Sequence, residues 1–222
     1  MPTVDSVTFD ATGLAFEGER NGVRAWFTED GDPVTLHYFP GPPPIPVDLC
    51  DLDAVRNFYR TTAMQGGAAI IEVDTIAVQG CTALRTIVKL PQVPHGITYV
   101  GCITIPFPSF SFVLKIQCAE YGTTGIRDAV IVDELMGQGR LALDPRTGGW
   151  MQDPYDPSLR DGFRRNVSED AKYDARFPTH PLSRLRPRLA RLQDTIQFGA
   201  ELQRQGPFSA PQPPTRPWWK VW

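Results

Sequence analysis

Ala69-Ile-Ile-Glu-Val-Asp-Thr-Ile-Ala-Val78, Thr82-Ala-Leu-Arg-Thr-Ile-Val-Lys-Leu90, Ile97-Thr-Tyr-Val-Gly-Cys-Ile-Thr-Ile105 and Phe110-Ser-Phe-Val-Leu-Lys-Ile-Gln-Cys118 follow one another with short turns between them. β-branched and aromatic residues, which suit a pleated and half-buried surface, dominate all four. Leu84, Thr86 and Val88 alternate with Arg85, Ile87 and Lys89, and Phe112, Leu114 and Ile116 alternate with Lys115 and Gln117. That period of two marks strands in a sheet with one wetted face. Connections this short leave no room for crossover helices, so the four strands are predicted to pair antiparallel.

Upstream, Leu14–Phe16, Val23–Phe27 and Val34–Phe39 are short runs of the same character, separated by Asn21-Gly22 and Asp30-Gly31-Asp32. Asn-Gly and Asp-Gly supply the positive φ angles of tight hairpin loops, which predicts an N-terminal meander. Between the two strand groups lies Pro40-Gly-Pro-Pro-Pro-Ile-Pro46, an extended crossing. Asp48 or Asp51 can then cap a helix through a free backbone N–H, and Leu52, Val55, Phe58, Tyr59 and Met64 keep helical spacing until Gly66-Gly67 ends the run.

Downstream, Ile126–Met136 reads as a second helix, with a strand as the alternative. Asp144–Pro157 is turn chemistry with aromatic anchors. Leu182, Leu185, Leu189, Leu192 and Ile196 recur every three or four residues, interleaved with Arg184, Arg186, Arg188 and Arg191. This predicts an amphipathic helix with a basic outer face. Pro187 removes a backbone donor, so the helix is expected to begin just before it or to bend there. The fold class is therefore α+β: an antiparallel meander packed against helices over residues 1–139, and a basic, proline-rich extension with one amphipathic helix over 140–222, packed on the first part.

The bulk properties narrow the function. Of 222 residues, 41% are hydrophobic and 21% charged, which is the balance of an ordinary globular chain. No apolar run approaches the roughly 18 residues of a membrane span, and Met1–Asp5 offers neither a basic start nor an apolar stretch. A cytoplasmic protein without membrane insertion is expected. Net charge is −3, which argues against nucleic acid, but residues 1–139 carry 8 Lys and Arg against 16 Asp and Glu while 140–222 carry 14 against 9. Either the basic extension folds back on the acidic body, or it offers a cationic surface to an acidic partner.

Reactive motifs are sparse. Cys50, Cys81, Cys102 and Cys118 include no Cys-x-x-Cys pair, and three lie in strand-like runs where a reduced cysteine acts as a small hydrophobe. His37, His95 and His180 are each at least 58 residues from the next. Asp144, Asp153, Asp156 and Asp161 lack the spacing of a calcium loop, and no glycine-rich phosphate loop or Gly-x-Ser-x-Gly is present. No cofactor, metal or catalytic residue is assigned. The recognition features are Trp218, Trp219 and Trp222, the loop Ile105–Phe110 whose prolines are expected to hold Phe107 outward, and the arginines Arg184, Arg188 and Arg191. Aromatic residues and arginine dominate interface hot spots. The tryptophans either anchor a partner or a second copy of the chain, or fill a groove on the chain's own sheet.

The order of meander, helix with a proline-rich entry and Gly-Gly exit, long antiparallel strands and a closing helix, over about residues 14–136, resembles the PsbP/DcrB-like superfamily. The resemblance implies binding rather than catalysis, since members include a photosystem II extrinsic subunit, a Ran-binding import factor and chaperones of type VI secretion effectors. The expectation is a non-enzymatic protein-binding module, a bacterial immunity protein or chaperone-like adaptor whose partner is an effector or toxin. Two alternatives stand beside it: a hydrolase with a site between sheet and extension using His95 or His180, and a carrier of a hydrophobic ligand.

Overall fold

A computed structural model describes residues 1–141, 149–160 and 162–210. In chain order the strands are β1 (Val7–Thr8), β2 (Ala15–Arg20), β3 (Val23–Phe27), β4 (Pro33–Pro40), β5 (Ala69–Val78), β6 (Cys81–Pro91), β7 (Ile97–Pro106), β8 (Phe110–Ala119), β9 (Met151–Gln152), β10 (Arg165–Asn166) and β11 (Gln197–Phe198). The helices are α1 (Leu52–Gln65), α2 (Ile126–Gly137) and α3 (Pro181–Thr195). The protein is α+β, built on a seven-stranded antiparallel sheet in the order β2-β3-β4-β8-β7-β6-β5.

Local chemistry sets most of these boundaries. Asn21 and Gly22 take φ of 53° and 73°, the paired left-handed residues of the tight β2–β3 hairpin. The Asp51 carboxylate accepts from the Ala54 N–H at 3.0 Å and opens α1. At the other end Gly67 has φ 70°, its N–H donates to the Met64 carbonyl and the Ala68 N–H donates to the Ala63 carbonyl. Those two bonds form a Schellman closure, which needs a residue free to adopt positive φ.

The two meanders meet through β4 and β8, with Val34 opposite Ile116 and Leu36 opposite Leu114. The proline-rich crossing and α1 carry the chain from β4 to the far edge, where β5 begins the return. One sheet face packs against α3, and its core joins Leu36, Ile103, Phe112, Leu114 and Ile116 to Leu182, Leu185, Leu189 and Leu192. Gly101 of β7 permits this close approach: a Cβ there would lie 2.9 Å from both Leu185 Cδ2 and Leu189 Cδ2. On the opposite face α1 lies along β5 and closes a second core of Val55, Ile70, Val73 and Leu84.

The segment beyond 149 is fastened to the body by buried polar groups. Lys89 Nζ donates to Glu169 Oε2 at 2.8 Å, and the Tyr99 hydroxyl donates to Glu169 Oε1 at 2.7 Å. Both charged side chains are at most 1% exposed. Arg127, equally buried, donates to the carbonyls of Ser168 and Asp170 and to the Asp174 carboxylate. The strand β11 returns to pair with β1, placing Phe198 opposite Val7.

The expectation that α3 begins just before Pro187 is corrected. The helix begins at Pro181, a favourable first position, where His180 caps it by accepting from the Leu182 N–H at 3.2 Å, and it runs through Pro187 to Thr195. An interior proline costs about 3 kcal/mol. Leu182, Leu185, Leu189 and Leu192 are all buried, and at roughly 1.5–3 kcal/mol for each side chain their burial outweighs that cost.

Candidate functional site

Among the described residues, the sheet face that carries α1 is only half covered. Across β8, β4 and β3 the register places Val113 beside His37, Lys115 beside Thr35, and Val23 and Ala25 beyond them. On β4 and β8 these side chains alternate with Val34, Leu36, Phe112, Leu114 and Ile116, buried on the other face, yet they are themselves only partly buried, and Phe27 and Phe39 are 38% and 47% exposed. No described helix lies over this half of the face. Exposed phenylalanines on a strand are unusual in a surface that meets only water.

The face deepens into a groove where it meets α1. The walls are Phe39 and Pro40 at the end of β4, the prolines Pro42, Pro43 and Pro44, and Phe58 and Tyr59 of α1, enclosing about 490 Å³. The prolines cannot donate to a ladder and keep this wall unpaired with the sheet. The His37 and Phe39 rings stack at 5.6 Å with 2° between their planes. Burial, and then the ammonium of Lys115, hold the His37 imidazole below its ordinary pKa, so it presents as a neutral aromatic. Burial pushes the Tyr59 hydroxyl up to about 12, which keeps it protonated. The groove is thus apolar, aromatic and uncharged along its walls, with Lys115 on the open face beyond it.

The residues expected from the sequence to bind a partner fall elsewhere. Phe107 is not held outward: it is fully buried, its ring 4.8 Å from Phe110 and 6.0 Å from Phe198, while its N–H donates to the Phe110 carbonyl across Pro108-Ser109. The two prolines make the turn, and the ring completes the core. The arginines of α3 do not form a free basic face. Arg184 donates to both oxygens of buried Asp32 at 3.2 and 2.9 Å, Arg188 pairs with Asp32 and Asp30, and Arg191 pairs with Asp10 at 2.7 Å. Asp30 and Asp32 of the β3–β4 turn, with Asp10 ahead of β2, therefore neutralise these arginines from within the chain. Trp218, Trp219 and Trp222 lie outside the described residues.

Sequence reasoning passed over Phe27, Phe39, Phe58 and Val113. Their signal was present in β4, where Thr35, His37 and Phe39 share the face opposite Val34 and Leu36, so that two aromatic rings end a row expected to be wetted.

A second cavity, of about 410 Å³, holds His180 with Glu120 and Tyr121. His180 Nε2 is 3.9 Å from Glu120 Oε1, and its Nδ1 is engaged by the Leu182 N–H. Burial, and then the charges of Arg127, Arg184 and Arg186, lower its pKa to about 3. The imidazole is neutral at physiological pH and one ring nitrogen is committed to the helix cap. Among the described residues no three His, Cys, Asp or Glu side chains converge as a metal site. The four cysteines are free thiols, and burial raises those of Cys81, Cys102 and Cys118, Cys102 to about 11. No described helix is long and apolar enough to cross a membrane. No protein-family model matches the chain, and no curated protein matches it.

Proposed function

We propose that this protein is a non-enzymatic binding module whose open sheet face and proline-lined groove take an apolar segment of another protein. The observation that carries the reading is the run from Phe27 through Phe39 into the groove against Phe58 and Tyr59, which no described helix covers. Aromatic anchors in a preformed groove bury much surface while few rotamers are lost, which is how interfaces gain affinity. A cytoplasmic immunity protein or an adaptor for a secreted effector fits this chemistry, as does the PsbP/DcrB-like resemblance over residues 14–136. Affinity capture from the native host, run in parallel with the wild-type chain and Phe39→Asp, tests it. A stoichiometric protein partner retained by the wild type and lost by the variant is expected. Recovery of no partner under gentle conditions, or equal recovery by both proteins, refutes it.

The rival reading is a hydrolase at His180, supported by the cavity that imidazole shares with Glu120. It is the weaker of the two, because a histidine with a pKa of about 3 is a poor general base near neutral pH. A broad substrate screen in which His180→Ala abolishes turnover would reverse this order.

A further inference from the structure

The flank of α1 opposite the groove faces a cleft that carries positive charge the described residues do not balance. The cleft lies between α1, the start of β5 and the segment leading into β10, and encloses about 280 Å³. Three arginines line it, Arg60, Arg164 and Arg165. Arg60 is spent: its Nε and Nη2 donate to the two oxygens of Asp153 at 2.7 and 2.9 Å, and Nη1 donates to Asn57. Asp153 is the one carboxylate among the described lining residues, and it also accepts from the N–H groups of Tyr155 and Asp156 at 2.9 Å each. Its Oδ1 accepts three of these bonds and its Oδ2 one. Arg164 is 8% exposed, yet its Nε and Nη1 have no hydrogen-bond partner among the described residues, and Arg165 Nε has none among them either.

A buried guanidinium without an acceptor loses its hydration and regains nothing from the chain, so its retention calls for an acceptor from outside. We propose that this cleft binds a small carboxylate carried on an apolar body, anchored by Arg164 with Arg165 beside it. The planar fork of a guanidinium matches the two oxygens of a carboxylate. Met64, Leu159, Phe163 and Pro154 supply an apolar wall that a bare oxyanion would leave unused. The volume equals that of about nine waters, which suits a ligand of the size of octanoate.

The test is calorimetric titration of the full chain with octanoate, with octanol and inorganic phosphate as controls. Octanoate is expected to bind at least tenfold more tightly than either control. Arg164→Leu is expected to weaken binding tenfold or more while the melting temperature holds or rises, because an unpaired buried charge has been removed. Should the leucine variant fail to fold, Arg164→Lys keeps the charge without the fork, and the same loss of affinity is expected. Absence of octanoate binding, binding unaffected by either substitution, or phosphate binding as tight as octanoate overturns the proposal.

Discussion

The pair of Lys89 and Glu169 gives the sharpest quantitative expectation for how the extension is held. Both side chains are at most 1% exposed, and Glu169 is completed by the Tyr99 hydroxyl at 2.7 Å and the Asn166 N–H at 2.6 Å. Lys89→Met removes the ammonium and leaves a carboxylate in an environment where its charge has two neutral donors and no counter-ion. Breaking a buried pair in this way costs about 3–5 kcal/mol. For a chain of this length 1 kcal/mol moves the melting temperature by roughly 2–4 °C, so a fall of about 6–20 °C is expected. Replacing both partners, as Lys89→Met with Glu169→Leu, removes the orphaned charge and should recover most of the loss. Urea and thermal unfolding of the wild type, both single variants and the double variant complete the cycle. The reasoning fails if Lys89→Met costs less than about 1 kcal/mol, or if the two single losses add in the double variant.

Three further expectations rest on the same structure. Gly101→Ala places a Cβ 2.9 Å from two leucines of α3 and should destabilise by about 1–3 kcal/mol, seen in urea unfolding. Asp51→Ala removes the cap of α1 and should cost about 1 kcal/mol in the same assay. His180 has a folded pKa of about 3, below its unfolded value, so its contribution to stability is complete above about pH 6.5 and is lost as pH falls towards 3. His180→Asn, which caps without titrating, should flatten the fall in unfolding free energy between pH 6.5 and 5 by about 1 kcal/mol per pH unit; an unchanged slope would remove His180 from the pH response.

What the sequence disclosed depended on whether the deciding interaction was local. The limits of α1 are legible because the Asp51 cap and the Gly66-Gly67 closure lie within a few residues of the ends they set. The four long strands are legible for the same reason, since alternation is a property of each strand alone. The pairing of β4 with β8 is not, because strand periodicity tells which face a side chain takes and nothing about which edge it meets. Pro187 misled as to where α3 begins because its cost is local while the burial that outweighs it comes from β7 and β8. The α3 arginines were expected on an outer face because their partners, Asp10, Asp30 and Asp32, lie more than 150 residues upstream. Phe107 was misplaced because prolines that break a strand also make a turn, and only the surrounding rings decide which way the side chain points. The candidate groove could be read in part, from the aromatic residues at the end of β4, but its second wall comes from α1.

The pairing of β1 with β11 sets a timetable for the nascent chain. Val7 leaves the ribosome about 190 residues before the Phe198 it will face, and at typical synthesis rates that interval is about 10–40 s. Until then Val4 and Val7 lack part of their cover, and the Gly101 side of the sheet has no α3 to shield it. The apolar face of the sheet is therefore exposed from the synthesis of β8 until that of α3, and holding factors that recognise extended hydrophobic segments would have their longest opportunity there.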